Sequence, residues 1–191
     1  MRSPSANKTR RLRLQPDPAT ASSILRCRRE TATFCKKSTR PPAGGFFENF
    51  LYGLQVAKEG TLPVYYNPTN RKSTMVATND IGAEVATLLT GPAWSGQRVI
   101  ELGSMVAADE VAEQLGEVLN LDVKAFAAPR AGWAKAFEQF GIPKGHTGPA
   151  EEMLEAVNAG WMDLGVKGTE HVAGTTSARD VFAAAQKAVT A

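Results

Sequence analysis

Beyond residue 45 the apolar positions recur with two spacings that alternate along the chain. Phe47, Phe50, Leu51 and Leu54 fall at i, i+3, i+4 and i+7, which predicts one apolar helix face ending near Gly60. Two short β-prone runs follow, residues 64–66 and 73–77, around the turn signal Asn67-Pro68-Thr69-Asn70. Thr78, Asn79 and Asp80 are N-cap residue types, and Ile81, Val85, Leu88 and Leu89 then trace a second helix that Gly91-Pro92 stops. Residues 98–102 read as a strand. Val111, Leu115, Val118 and Leu119 give a third helix, with Asp109 and Glu110 at its positive end. Residues 122–127 read as another strand. Trp133, Phe137 and Phe140 stripe a fourth helix, closed by Gly141 and Pro143. Pro149 opens a fifth, carrying Met153, Leu154, Val157 and Trp161. Ser177 and Asp180 form a capping box before Val181, Phe182, Ala185 and Val189. Helices alternating with short strands predict an α/β fold with surplus helix.

Composition divides this picture in two. A chain of 191 residues with 43% hydrophobic content is long enough for one core. Residues 1–40 carry eleven Lys/Arg against two Asp/Glu, and residues 41–191 eleven against seventeen, so a net +9 precedes a net −6. The first segment holds only six large apolar or aromatic residues (Met1, Leu12, Leu14, Ile24, Leu25, Phe34). That is too little apolar area to offset ordering entropy, so residues 1–40 are expected to form a disordered basic arm beside a folded region at 41–191.

Three readings of the arm stay open. It is a polyanion-binding tail using Arg10-Arg11-Leu12-Arg13 and Arg26-Cys27-Arg28-Arg29, an organelle transit peptide, or sequence from a shifted frame or misassigned start. No aromatic residue interleaves with the arginines to stack on bases, which weighs against nucleic acid. Cys27 and Cys35 both lie in the arm and the rest of the chain has none, as fits a reducing compartment. No run of 18 apolar residues and no apolar signal region is present, so the chain is expected in the cytoplasm and not in a membrane.

Chemistry-bearing motifs are sparse. Neither G-x-G-x-x-G nor G-x-x-x-x-G-K-[ST] occurs. Gly141, Gly145 and Gly148 are spaced loosely like a short-chain dehydrogenase turn, but they follow a helical pattern with Pro143 inside it and read as a surface connection. A Tyr-x-x-x-Lys pair, in which lysine lowers the tyrosine pKa for proton donation, is absent: Val56, Thr69 and Asn70 stand four residues after the three tyrosines. His146 and His171 have no cysteine partners for a zinc site, and no G-x-S-x-G elbow marks a nucleophile. No catalytic residue and no metal ligand is assigned. Asp80, directly before an apolar-periodic run, suits capping or packing support better than acid chemistry. Asn49, an amide among Phe46, Phe47, Phe50 and Leu51, either lines a pocket or satisfies a backbone group at a helix start. Trp133, Phe137 and Trp161 either roof a substrate cavity or belong to the core. Phe46, Phe47, Asn49, Trp133, Phe137 and Trp161 are therefore the substrate-pocket candidates.

Several short motifs in order carry a family resemblance: Phe46-Phe47-Glu48-Asn49-Phe50, Ala77-Thr78-Asn79-Asp80-Ile81-Gly82, Val99-Ile100-Glu101-Leu102-Gly103 and Asp109-Glu110-Val111-Ala112. With Trp133 and residues 175–182 they span about three quarters of the chain. Over this span it resembles the C-terminal part of NmrA-like proteins, a branch of the atypical short-chain dehydrogenase/reductases. The resemblance implies the C-terminal portion of a Rossmann-like NAD(P)-binding fold with an extra helical substrate lobe. It implies either NADPH-dependent reduction of quinone-like or carbonyl substrates, or a non-enzymatic redox-sensing or protein-interaction module. It also matches Arg40-Pro41 to the strand end that passes near the nicotinamide, and residues 46–49 to the pocket border, with a stretched spacing between them. The glycine-rich turn and the ribose-reading residue have no counterpart in residues 1–38. A truncated form with little independent activity and weak NAD(P) affinity is the expectation, its open apolar faces inviting self-association or a protein partner.

Overall fold

The computed structural model describes residues 45–96 and 98–190, apart from the side chains of residues 189 and 190. The basic segment, with Arg40 and Pro41, lies outside the described residues. Among the described residues seven short strands form three small sheets. β1 (Gly45–Phe46) runs parallel to β3 (Lys72–Val76), with Gly45 opposite Met75, and β3 runs antiparallel to β5 (Ser104–Ala107). β2 (Thr61–Val64) pairs parallel with β6 (Lys124–Ala127), and β4 (Ile100–Leu102) parallel with β7 (Glu170–Val172). The described residues also hold six α-helices: α1 (Gly53–Val56), α2 (Thr78–Thr90), α3 (Ala108–Leu119), α4 (Trp133–Gln139), α5 (Gly148–Asn158) and α6 (Ala178–Thr190).

The core gathers where α3 and α6 pack on each other and on the strands. Val111, Ala112 and Leu115 of α3 meet Phe182 of α6, Leu62 and Val64 of β2, and Met75 of β3. Ser177 opens α6 as a reciprocal capping box: its N–H donates to Asp180 Oδ2 at 3.0 Å, and the Asp180 N–H donates to Ser177 Oγ at 3.2 Å.

The single helix expected over 47–60 is instead three pieces. A 3₁₀ turn covers Phe47–Phe50, α1 follows, and a second 3₁₀ turn covers Ala57–Glu59. A 3₁₀ turn has three residues per turn, so Phe47 and Phe50 share its inner side and both are buried. Gly53 then passes so close to the core that a Cβ there would stand 2.7 Å from Leu115 Cδ2 and 2.8 Å from Leu62 Cδ1. The Tyr66 hydroxyl occupies the space a Cβ at Gly45 would need.

Candidate functional site

In open α/β folds ligands collect beyond the carboxyl ends of the parallel strands. Here those ends are Phe46, Val76, Leu102 and Val172, with Val64 and Ala127 in the third parallel pair. The segments after Val76 and Val172 are each held by a carboxylate.

The N-terminus of α2 leads directly out of β3, and its N-cap residue, Ala77, has no side-chain acceptor. Glu48 supplies one from the 3₁₀ turn after β1. Its Oε1 accepts the Thr78 N–H at 2.8 Å and the Thr78 hydroxyl at 2.6 Å, while its Oε2 is buried with no hydrogen-bond partner. Two residues on, Asp80 is 8% exposed and takes four hydrogen bonds. Oδ2 accepts the Thr175 and Thr176 N–H groups at 2.8 and 2.9 Å, and Oδ1 accepts their hydroxyls at 3.0 and 2.7 Å. Burial pushes its carboxyl pKa up, but the bonds from Thr176 and Thr175 outweigh it and hold the group below its ordinary value. Asp80 is thus packing support for the loop after β7, the role its position before the helix suggested.

Glu101, in the middle of β4 and 2% exposed, does the same for another loop. It accepts the Gly165 N–H at 2.7 Å and the Val166 N–H at 3.1 Å. The Gly165 bond is the main reason its pKa falls, against the opposing effect of burial. Arg71 adds a third anchor, reaching Asp163 at 2.6 Å and the Val157 carbonyl at 3.1 Å. The stretch between α5 and α6, which contains β7, is therefore pinned at 163, at 165–166 and at 175–176. Between α2 and the ends of β4 and β7 it leaves a cavity of about 120 Å³, lined by Asp80, Ala83, Glu84 and Thr87 and by Leu102, Val172, Ala173 and Thr175. That is room for a few waters or one small functional group.

A second concentration of chemistry is aromatic. Tyr65 and Tyr66 leave β2 on opposite sides. Tyr66 stacks on Phe50 at 5.7 Å between ring centres, while Tyr65 meets Phe137 at 5.1 Å and the edge of Trp133 at 5.8 Å. The Trp133 indole N–H donates to the Ala128 carbonyl at 2.9 Å. Arg130 lies 5.0 Å over the Trp133 ring, and α5 holds it through Glu155 and Glu151. Burial pushes the Tyr66 phenol up to about 12 and raises Tyr52, whose hydroxyl donates to the Pro63 carbonyl, further still. Both stay neutral at physiological pH.

The candidate residues separate accordingly. Trp133 and Phe137 come together around Tyr65. Phe47 is set in the core, and Phe46 is half-buried at the end of β1. Asn49 faces solvent, and Trp161 is 78% exposed. None of the six lines the cavity at the strand ends. Glu48 and Glu101 were not singled out from sequence. An acid flanked by Ile100 and Leu102 inside a strand was the available signal, because an inward-facing carboxylate there requires donors. Gly141 and Gly145 are left-handed (φ 94° and 79°) in the connection before α5, with open space around them. His146 is exposed, and the His171 ring contacts the Gly103 carbonyl at 2.9 Å. Among the described residues no group of three side chains suits a metal ion.

A dinucleotide needs a strand-to-helix junction with free N–H groups for its pyrophosphate. At β3–α2 the Thr78 N–H is taken by Glu48 and Asp80 stands in the first turn. At β5–α3 the first turn carries Asp109 and Glu110, and the Asp109 N–H donates to the Thr69 carbonyl at 3.2 Å. Carboxylates occupy both junctions, so neither fits a pyrophosphate.

No protein-family model matches the chain, and no curated protein matches it. Solved structures do. An NADPH-dependent quinone oxidoreductase from Escherichia coli, in complex with NADPH, is similar with a TM-score of 0.57 and 18% identity over 75% of this chain and 52% of that one. Another E. coli structure, of a new type of NADPH-dependent quinone oxidoreductase, gives a TM-score of 0.55 and 16% identity over 91% and 63%. A nucleoside-diphosphate-sugar epimerase from Staphylococcus aureus gives 0.51 and 15% over 74% and 50%. The chain thus spans between 50% and 63% of the length of these proteins. The likeness fixes the fold: α/β with parallel strand pairs, in the Rossmann-like arrangement expected from sequence. Among the described residues no helix is long and apolar enough to cross a membrane.

Proposed function

We propose that this chain is a reductase-like member of the NmrA-like branch of atypical short-chain dehydrogenase/reductases. It contributes the substrate side of a site for quinone-like or carbonyl compounds, and it has little turnover and weak NAD(P) affinity of its own. The likeness to the E. coli NADPH-dependent quinone oxidoreductase over 75% of the chain carries this reading. Two features of the residues support it. The half-buried Tyr65 ring, backed by the buried Trp133 and Phe137 rings, offers an aromatic edge to a flat neutral ligand. The carboxylates at both helix starts oppose a pyrophosphate and so predict weak cofactor binding.

Titration of the purified chain with a naphthoquinone tests the first half, followed by tryptophan fluorescence in the wild type and in Trp133→Phe. Saturable quenching that weakens in the variant is expected. Its absence overturns the substrate-side assignment. NADPH oxidation in the presence of the same quinone should stay near background, and rapid turnover would contradict the second half.

A further inference from the structure

We propose, resting on the substrate-side assignment above, that Tyr65 sets its specificity: the Tyr65 hydroxyl donates a hydrogen bond to a carbonyl oxygen of a flat neutral ligand.

Position comes first. β2 and β6 form a parallel pair whose carboxyl ends are Val64 and Ala127, the side on which ligands of α/β folds collect. The residues that follow both strands build one cluster. The Ala128 N–H donates to the Val64 carbonyl at 2.7 Å, and the Ala128 carbonyl accepts the Trp133 indole N–H at 2.9 Å. Tyr65 comes directly after Val64 and meets Trp133 and Phe137. Asn158, the last residue of α5, fixes the backbone there. Its Nδ2 donates to the Tyr65 carbonyl at 3.0 Å, and its Oδ1 accepts the Asn67 N–H at 3.1 Å. Ring and backbone of Tyr65 are thus both held before a ligand arrives, which lowers the ordering cost of binding.

The three tyrosines differ in what their hydroxyls can still do. The Tyr52 hydroxyl donates to the Pro63 carbonyl, and the Tyr66 hydroxyl is turned inward against Gly45. Tyr65 is half-buried, and among the described residues its hydroxyl has no hydrogen-bond partner. Burial raises its pKa, so the phenol stays a protonated donor at neutral pH.

The surroundings select the acceptor. A carboxylate or a phosphate calls for a cation. Arg130, the guanidinium over the Trp133 ring, is already bonded to Glu155 at 2.6 Å and to Glu151. Lys135 stands two residues from both Trp133 and Phe137, on the opposite side of α4. A neutral carbonyl needs only the phenol, and the ring that bears it gains from the aromatic edge.

Calorimetric titration of the full chain with 2,3-dimethyl-1,4-naphthoquinone is the test, since its substituted ring carbons resist addition of the Cys27 and Cys35 thiols. Tyr65→Phe should raise the Kd about three- to tenfold, the range of a lost neutral hydrogen bond. Tyr65→Leu, which also removes the ring, should raise it further. Because the hydroxyl bonds nothing in the free protein, Tyr65→Phe should melt at the wild-type temperature, which separates recognition from support. Infrared difference spectra should place the carbonyl stretch of the bound quinone lower in the wild type than in Tyr65→Phe. Equal Kd values for wild type and Tyr65→Phe overturn the role of Tyr65 and leave the substrate-side assignment standing, and so does a carbonyl stretch that is the same in both. A wild-type chain that shows no saturable binding overturns the two together.

Discussion

Replacing Asp80 tests how the strand-end loops are held. Its carboxylate accepts two backbone N–H groups and two hydroxyls from Thr175 and Thr176. In Asp80→Ala the hydroxyls can turn to water, because Thr175 is exposed, but the two N–H groups lose charge-assisted bonds worth about 1.5–3 kcal/mol each. Such bonds are not fully additive, so a loss of about 3 kcal/mol is expected. Asp80→Asn keeps an oxygen for the N–H pair and offers the hydroxyls a donor in place of an acceptor, which should cost about 1 kcal/mol. Urea unfolding at neutral pH gives both numbers, and amide exchange should quicken at Thr175 and Thr176.

Acid adds a sign. The folded carboxyl sits below its ordinary value, so its stabilisation is complete above about pH 4 and is lost as pH falls through the folded value. The gap between wild type and Asp80→Asn should therefore close in acid. An Asp80→Ala protein within about 0.5 kcal/mol of wild type, or a gap that persists in acid, would refute the account.

Three further substitutions test neighbouring features. Glu101→Gln should lower stability by about 1–2 kcal/mol at neutral pH, with faster exchange at Gly165 and Val166 and the same loss of effect in acid. Phe182→Ala removes a fully buried side chain from the α3–α6 contact and should cost about 3–5 kcal/mol by thermal unfolding. Ser177→Ala breaks the capping box that opens α6, a loss of about 1 kcal/mol by urea titration.

The helices were the legible part of the fold, because α3 and α6 carry both periodicity and end signals. Val111 and Leu115 repeat on one face of α3, and Ser177 and Asp180 cap α6 reciprocally. The segment after β1 misled because Phe47 and Phe50, three apart, suit a 3₁₀ turn as well as an α-helix, and the contacts that break the helix at Gly53 come from residues far along the chain. Strand β2 was shifted for a related reason. Pro63 precedes the β-prone run read at 64–66, yet it is tolerated in a strand that, among the described residues, pairs with β6 alone. β1 and β7, at two and three residues, are too short to leave a period. Of the site, the aromatic pair Trp133 and Phe137 was visible as a stripe. The roles of Glu48 and Glu101 depend on Thr78 and on Gly165 and Val166, partners that only the folded chain brings near.

The charge at the strand ends limits what kind of ligand the fold can accept there. The N-terminus of α2 has a partial positive charge of about half a unit, which Glu48 already offsets, and Asp80 adds another negative charge in the same turn. A phosphate brought to about 5 Å from either carboxylate meets a repulsion of about 3 kcal/mol at an effective dielectric constant of 20, with no free Thr78 N–H in return. A small neutral group meets no such penalty and gains from apolar contact with Leu102, Val172 and Ala173, which line the cavity there. Any affinity of the chain for a quinone should then change little with ionic strength, since the attraction is not between net charges. A nucleotide held by its phosphates would instead weaken steeply as salt rises. Quinone and NADPH titrations at low and high salt separate the two cases, and a strongly salt-dependent NADPH affinity would show that the phosphates find cationic partners away from these carboxylates.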